Sequence, residues 1–482
     1  MKILKYISIV MVLIVAVTQC KLPDNVDPKN PTEVPIETLF SNAELALLNH
    51  VDRANVNNNT YRLYVQYWQE TTYFDESRYL FQDRQIPDNV MTITYRNSLM
   101  DLKQTKMLLA DWGGNETERD NKIAIATILE VYAWSLIVDT WGDMPYSEAL
   151  LGAENSTPAY DDAAGIYTSI MGELGIAISM LKPGTSYGGA DFLFGGDIAS
   201  WKSFAGSLQL RLGMRLADVN SGTAKSAVEA ALVTGVFTDV ASSALLHYNG
   251  VVPHVNTIYQ GFVVDNRKDY LPTATIIDLM IARDDPRLPL WFTQVDDGTG
   301  TMIYLGAVPG LDGAQTYANF SNFTPVFFTP TFPAIIQDYV EVEFLLAEAV
   351  ERGYVAGDAE THYNNAIAAN ILYWGGSQAD VDTYLAHADV AYATAAGDYK
   401  EKIGTQMYIA LYNRGIEGWN QWKRFDFPVL SPPEGMTQND IPKRFPYPYN
   451  EKLENGANYN AAKALLPGGV DDHRSKVFWD VN

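Results

Sequence analysis

The sequence predicts a mostly α-helical fold of paired helices that carry one long loop-rich segment. Three observations predict it. Apolar residues recur at three- and four-residue spacing over several stretches. Two such stretches follow one another across a glycine turn, from Glu341 to Ile371, as a helix–turn–helix. Residues 238–333 break this pattern, being rich in Gly, Pro, Asn, Thr and aromatics, and short β-hairpins are expected there. The single cysteine rules out an internal disulfide, so the fold must rest on its core, and 482 residues are enough to bury one.

Along the chain, Lys2 and Lys5 precede an apolar run from Tyr6 to Val17, too short to span a bilayer and of signal-peptide length. Val17-Thr18-Gln19-Cys20 then reads as a lipobox, with Gln19 where a small residue is usual: cleavage before Cys20 and lipid on its new N-terminus. The other reading is an ordinary signal peptide that contains a cysteine. Residues 1–19 are thus a signal peptide, residues 20–37 a Pro- and Asp-rich tether, and residues 38–482 one folded domain. The apolar stretch Ile123 to Val138 contains Thr127, Glu130 and Ser135, which suits a buried helix better than a membrane span.

Asp161 and Asp162 can cap a helix whose apolar face holds Ile166, Ile170, Leu174, Ala177, Ile178 and Leu181, with Pro183-Gly184 ending it. Trp201, Phe204, Leu208, Leu212 and Leu216 form the stripe of a second helix. A third spans about Gln337 to Arg352 and stops at Gly353. A fourth opens at Gly357-Asp358 and bears Tyr363, Ala366 and Ile367. This last pair has about the size of one tetratricopeptide unit without that repeat's signature. Within 238–333, Trp291 to Val295 and Thr301 to Leu305 read as a hairpin over Asp297-Gly298. Residues 425–482 form a second irregular stretch.

The formal charge is −24, and loss of Lys2 and Lys5 with the signal leaves −26. Nucleic-acid binding needs clustered Lys and Arg, so that class is excluded. No histidine pair has the spacing of a zinc protease, there is no Gly-x-Ser-x-Gly elbow, and no metal or cofactor is expected. Gly142-Asp143-Met144-Pro145 reads as a structural turn, with Asp143 accepting from backbone amides. Arg211 and Arg215 share a helix face and are expected to answer buried acids on a neighbouring helix.

Several blocks occur in order: Tyr67 to Tyr79 (YWQETTYFDESRY), Val138 to Ala149 (VDTWGDMPYSEA), Trp201 to Leu216 (WKSFAGSLQLRLGMRL), Asp284 to Leu288 (DDPRL) and Glu343 to Ala349 (EFLLAEA). Tyr412 to Trp419 (YNRGIEGW), Ile441 to Pro448 (IPKRFPYP) and Trp479 follow. Together they resemble the SusD/RagB family of nutrient-binding outer-membrane lipoproteins. The resemblance implies a SusD-like α-helical fold with four tetratricopeptide-like helix pairs and a loop-built binding face. It also implies a lid over a SusC-like, TonB-dependent transporter, on the outside of the outer membrane. Such lids capture oligosaccharides, or in some cases peptides, without catalysis.

Sugar rings stack their C–H faces on aromatic planes while polar side chains hold their hydroxyls. Two aromatic-and-polar clusters offer this mixture. The first holds Trp68, Tyr73, Phe74, Asp75, Arg78 and Tyr79; the second holds Trp291, Tyr304, Tyr317, Asn319, Phe320, Asn322 and Phe323. In the family, ligand contacts come from the same regions of the chain. Packing remains an equal reading for each of these residues, and a surface glycan hydrolase on a helical scaffold remains the alternative of another class.

Overall fold

The structure, a computed structural model, describes residues 34–81 and 84–482. Cys20, the signal peptide and most of the expected tether lie outside the described residues. Helix α1 (Ile36–Asp52) begins just after Pro35, inside the segment expected to be tether. Its buried face, with Phe40, Leu47 and Leu48, packs on α2 (Met100–Ala110).

Four pairs of consecutive helices follow, as the expected fold requires. Helix α3 (Glu116–Trp141) packs on α4 (Ala163–Met180), and α5 (Ile198–Arg215) on α6 (Ser221–Thr234). Helix α7 (Tyr339–Glu351) packs on α8 (Ala359–Tyr373), and α9 (Tyr399–Ala410) on α10 (Gly415–Phe425). The pairs stack through α4 on α5, α5 on α7 and α7 on α9. Asparagine and aspartate caps start most of them: Asn115, Asp162, Asp197, Asn220, Asp338, Asp358 and Asp398 each accept a hydrogen bond from the first turn. Helix α3 is long and apolar enough to cross a membrane, yet its apolar window is 89% buried inside the protein.

Buried charge ties the pairs together. Arg211 on α5 holds Glu341 on α7 with Nε to Oε1 at 2.5 Å and Nη2 to Oε2 at 2.8 Å, and Arg414 meets the same carboxylate. Arg215 grips Glu417 on α10 with bonds of 2.8 and 2.7 Å, and Arg424 grips Glu348 with two of 2.7 Å. Arg211 and Arg215 therefore do answer buried acids. Asp143 accepts from the Ala163 amide at 2.9 Å, which positions the start of α4.

Among the described residues the strands are short and paired antiparallel: β1 (Trp68–Glu70) with β3 (Tyr270–Pro272), β2 (Ala244–Leu246) with β6 (Ala334–Gln337), and β4 (Val295–Asp296) with β5 (Met302–Ile303). Two expectations are corrected here. The third helix starts at Tyr339, because Gln337 closes β6 instead. The hairpin is only β4 and β5, because Trp291 ends a helical turn, Leu288–Trp291. The loop-rich segment also contains an unexpected helix, Ala274–Ile281.

Candidate functional site

The pairing of β1 with β3 brings distant parts of the chain together. Glu70 stands opposite Tyr270, and the Val56 amide just after α1 donates to the Tyr270 hydroxyl at 3.1 Å. Three segments thus meet: the end of α1 through Asn57, the chain leaving β1, and the loop from Pro253 into β3. Between them lies a cleft of about 350 Å³, within the range of roughly 300–1,000 Å³ typical of small-ligand sites.

Its lining is mostly polar. Asn49, Arg53, Asn55 and Asn57 come from α1 and its exit; Glu70, Thr72, Tyr73 and Arg84 from the β1 side; Gln260, Asp265, Arg267 and Asp269 from the third segment. Phe262 and Tyr270 form an apolar patch on the same wall. Trp68 supports that patch from behind, 5.1 Å from Tyr270 and 6.2 Å from Phe262 between ring centroids.

Tyr73 is the one sequence-expected residue in the cleft with a broad free face, at 68% exposure. Its φ of 58° turns the chain at the mouth of the cleft, where the Arg84 guanidinium lies 5.8 Å from the ring centroid. Arg84 in turn pairs with Glu76 at 3.0 Å. Glu70 accepts from the Ser77 amide and hydroxyl, both at 3.0 Å. Burial, and then the neighbouring Glu76, push the Glu70 carboxyl up to about 9, so it is neutral at pH 7. Across the cleft, Arg267 pairs with Asp269 at 2.5 Å and the Gln260 amide donates to Asp265 at 2.8 Å.

The other expected residues divide. Trp68, Tyr79 and Trp291 belong to the core and offer no free ring face. Trp291 is fully buried, stacked 5.2 Å from Tyr412, and Trp68 is enclosed by Tyr270, Phe323 and the Arg62 guanidinium. Tyr79 accepts from the Gln66 amide at 3.1 Å inside the protein. Packing between layers has consumed these rings, and the expectation that they touch ligand is corrected. Phe74 and Arg78 are half-buried, and Arg78 is committed to the Gly310 carbonyl and to Asp312. Phe323 is buried in the same aromatic cluster as Trp68.

Tyr304 lines a different, open cleft of about 790 Å³ with Asp284, Met302 and Thr383. Tyr317, Asn319 and Phe320 form a partly exposed turn, with Lys268 5.5 Å from the Tyr317 ring. The Thr71 carbonyl accepts from the Gln315 amide at 3.0 Å, which holds this turn near the β1 side of the first cleft. The sequence reading missed the asparagine-rich exit of α1 and the run Asp265 to Asp269. Their signal was two dense polar runs, each beside a residue that must be buried.

Four stacked helix pairs carrying a loop-built polar cleft define a helix-pair scaffold with its recess in the loops. The sequence matches the SusD-like family model described as "Starch-binding associating with outer membrane" over residues 28–448, and the chain belongs to that family. A solved structure described as a chitin-binding protein superposes with a TM-score of 0.80 at 28% identity, over 93% of this chain and 100% of its own. A chitin-binding SusD homologue from Flavobacterium johnsoniae gives 0.77 at 22% identity, over 93% and 99%. A SusD homologue from Bacteroides thetaiotaomicron gives 0.76 at 23%, over 93% and 100%. The latter two speak for the fold. No curated protein matches the sequence.

Proposed function

We propose that this protein is a surface nutrient-binding lipoprotein that captures an oligosaccharide in the cleft beside Tyr73 and passes it to a SusC-like, TonB-dependent transporter. Family membership supports an outer-membrane association. The single observation that carries the binding site is the free Tyr73 ring at the mouth of a polar cleft, braced by Arg84. One aromatic plate with hydrogen-bonding groups around it suits a sugar ring, whose faces are apolar and whose edge is polar. The small volume favours one or two sugar units over an extended peptide. Binding without chemistry fits the cleft acids, since Asp269 is held by Arg267, Asp265 by Gln260, and Glu70 by Ser77. Cys20 would carry the lipid that tethers the domain to the outer face of the membrane.

A relative at 28% identity is named for chitin, so chito-oligosaccharides belong beside starch fragments in the first binding panel. Calorimetry with the purified protein tests the reading. Saturable binding that Tyr73→Ala weakens supports it; a panel of glycans that all fail to bind, or binding indifferent to Tyr73, removes it.

A further inference from the structure

Acids outnumber bases here by 58 to 34, so a guanidinium has carboxylates to spare. Nearly every arginine uses one: Arg62 meets Asp52, Arg287 meets Asp285, and Arg444 meets Asp471, all while buried. Arg283 donates to the Leu279 carbonyl at 3.1 Å, and Arg96 is exposed to water. Among the described residues, half-buried Arg53 is the one arginine of the cleft with neither an ion pair nor a hydrogen-bonded acceptor for its guanidinium. Arg53 lines the cleft. Burial pulls its pKa below the ordinary arginine value.

A second group points the same way. Asn49 sits four residues earlier on α1, hence on the same face, and also lines the cleft. Its side-chain carbonyl is taken by the Tyr248 hydroxyl at 3.1 Å, and among the described residues its amide N–H groups have no acceptor. The end of α1 thus presents donors that have no bonded acceptor among the described residues. A neutral sugar hydroxyl or an acetamido carbonyl can accept from these two donors but leaves the cation without a counter-charge. An oxyanion satisfies both groups.

We propose that the cleft takes saccharides bearing an oxyanion, the carboxylate of a uronic acid or a sulfate ester, and that Arg53 with Asn49 is its receptor. The inference rests on the reading of the cleft as a saccharide site and names the ligand class. Purified full-length protein in detergent is titrated with a galacturonate trisaccharide, the galactose trisaccharide of the same linkage, and a sulfate ester of the latter. At least one acidic ligand should bind about tenfold more tightly than the neutral one, a preference that shrinks as salt rises. Which acid is preferred separates carboxylate from sulfate. In Arg53→Gln the ratio of acidic to neutral affinity should fall towards one. Arg53→Lys, which keeps charge but loses the planar fork, should retain part of it and serves if the first variant fails to fold. Neutral binding as tight as acidic binding, or a preference that survives Arg53→Gln, overturns the inference and leaves the saccharide site standing. Failure of all three sugars overturns the inference, and the saccharide site falls with it only if the chito-oligosaccharide and starch panel fails as well.

Discussion

Arg84 lies over the ring of Tyr73, 5.8 Å from its centroid, while its guanidinium holds Glu76 at 3.0 Å. An exposed tyrosine is thereby braced from one side by a buried acid, through an arginine, and Tyr73 and Arg84 both line the cleft.

Tyr73→Ala should weaken oligosaccharide binding about fivefold, since an aromatic contact contributes roughly 1 kcal/mol. The melting temperature should barely move, because a surface substitution outside a packed contact costs about 0.5 kcal/mol or less. Calorimetry and thermal melting on the same sample separate the two effects.

Trp291→Ala should do the reverse. The ring is fully enclosed between Tyr412, Trp374 and Phe292, so removing it leaves a cavity and costs about 3–5 kcal/mol. Urea unfolding should show that loss. Near wild-type stability would mean that Trp291 is not a core residue.

Glu341→Gln should destabilise by about 3–5 kcal/mol, because Arg211 and Arg414 would both lose a buried counter-charge. Urea midpoints measured on this variant and on an exposed control such as Glu229→Gln would show whether the loss is specific to the buried network.

The pH dependence of stability should carry the mark of Glu70. Its folded carboxyl titrates near 9, above the ordinary value of 4.5, because burial and Glu76 disfavour the charge. Between these values the folded state holds a proton that the unfolded state has released. The group's contribution is therefore fully present below about 4.5 and is lost as pH rises towards 9. Glu70→Gln should flatten the fall in melting temperature over that window. An unchanged slope would show that Glu70 ionises normally.

His50 should act in the opposite sense. Burial, followed by the charge of Arg53, lowers its folded pKa to about 3 from 6.5. Its stabilisation is present above 6.5 and is lost as pH falls from there towards 3. Replacing His50 with leucine should reduce acid sensitivity in this range, read from melting curves between pH 4 and 7.

How much of this was legible beforehand differs by element. The stripe of Trp201, Phe204, Leu208 and Leu212 announced α5, and Asp358 announced the start of α8, because helical period and capping are local properties. The pairing of Arg211 and Arg215 with acids was also legible, since a chain cannot leave buried guanidiniums without partners. Tyr73 was legible as an aromatic in a polar loop, but so were Trp68 and Trp291, and nothing in their neighbours along the chain separates a plate from a plug.

By itself the sequence determined the helical class, the helix pair from Glu341 to Ile371 and the blocks that mark the family, all of which depend on residues a few positions apart. Only the tertiary structure decided which aromatics stay free, and that Arg53 and Asn49 share a cleft with Tyr73. The reason is that burial is set by what a ring meets across space. The register of Glu70 against Tyr270 joins segments about two hundred residues apart, and no local pattern encodes that meeting.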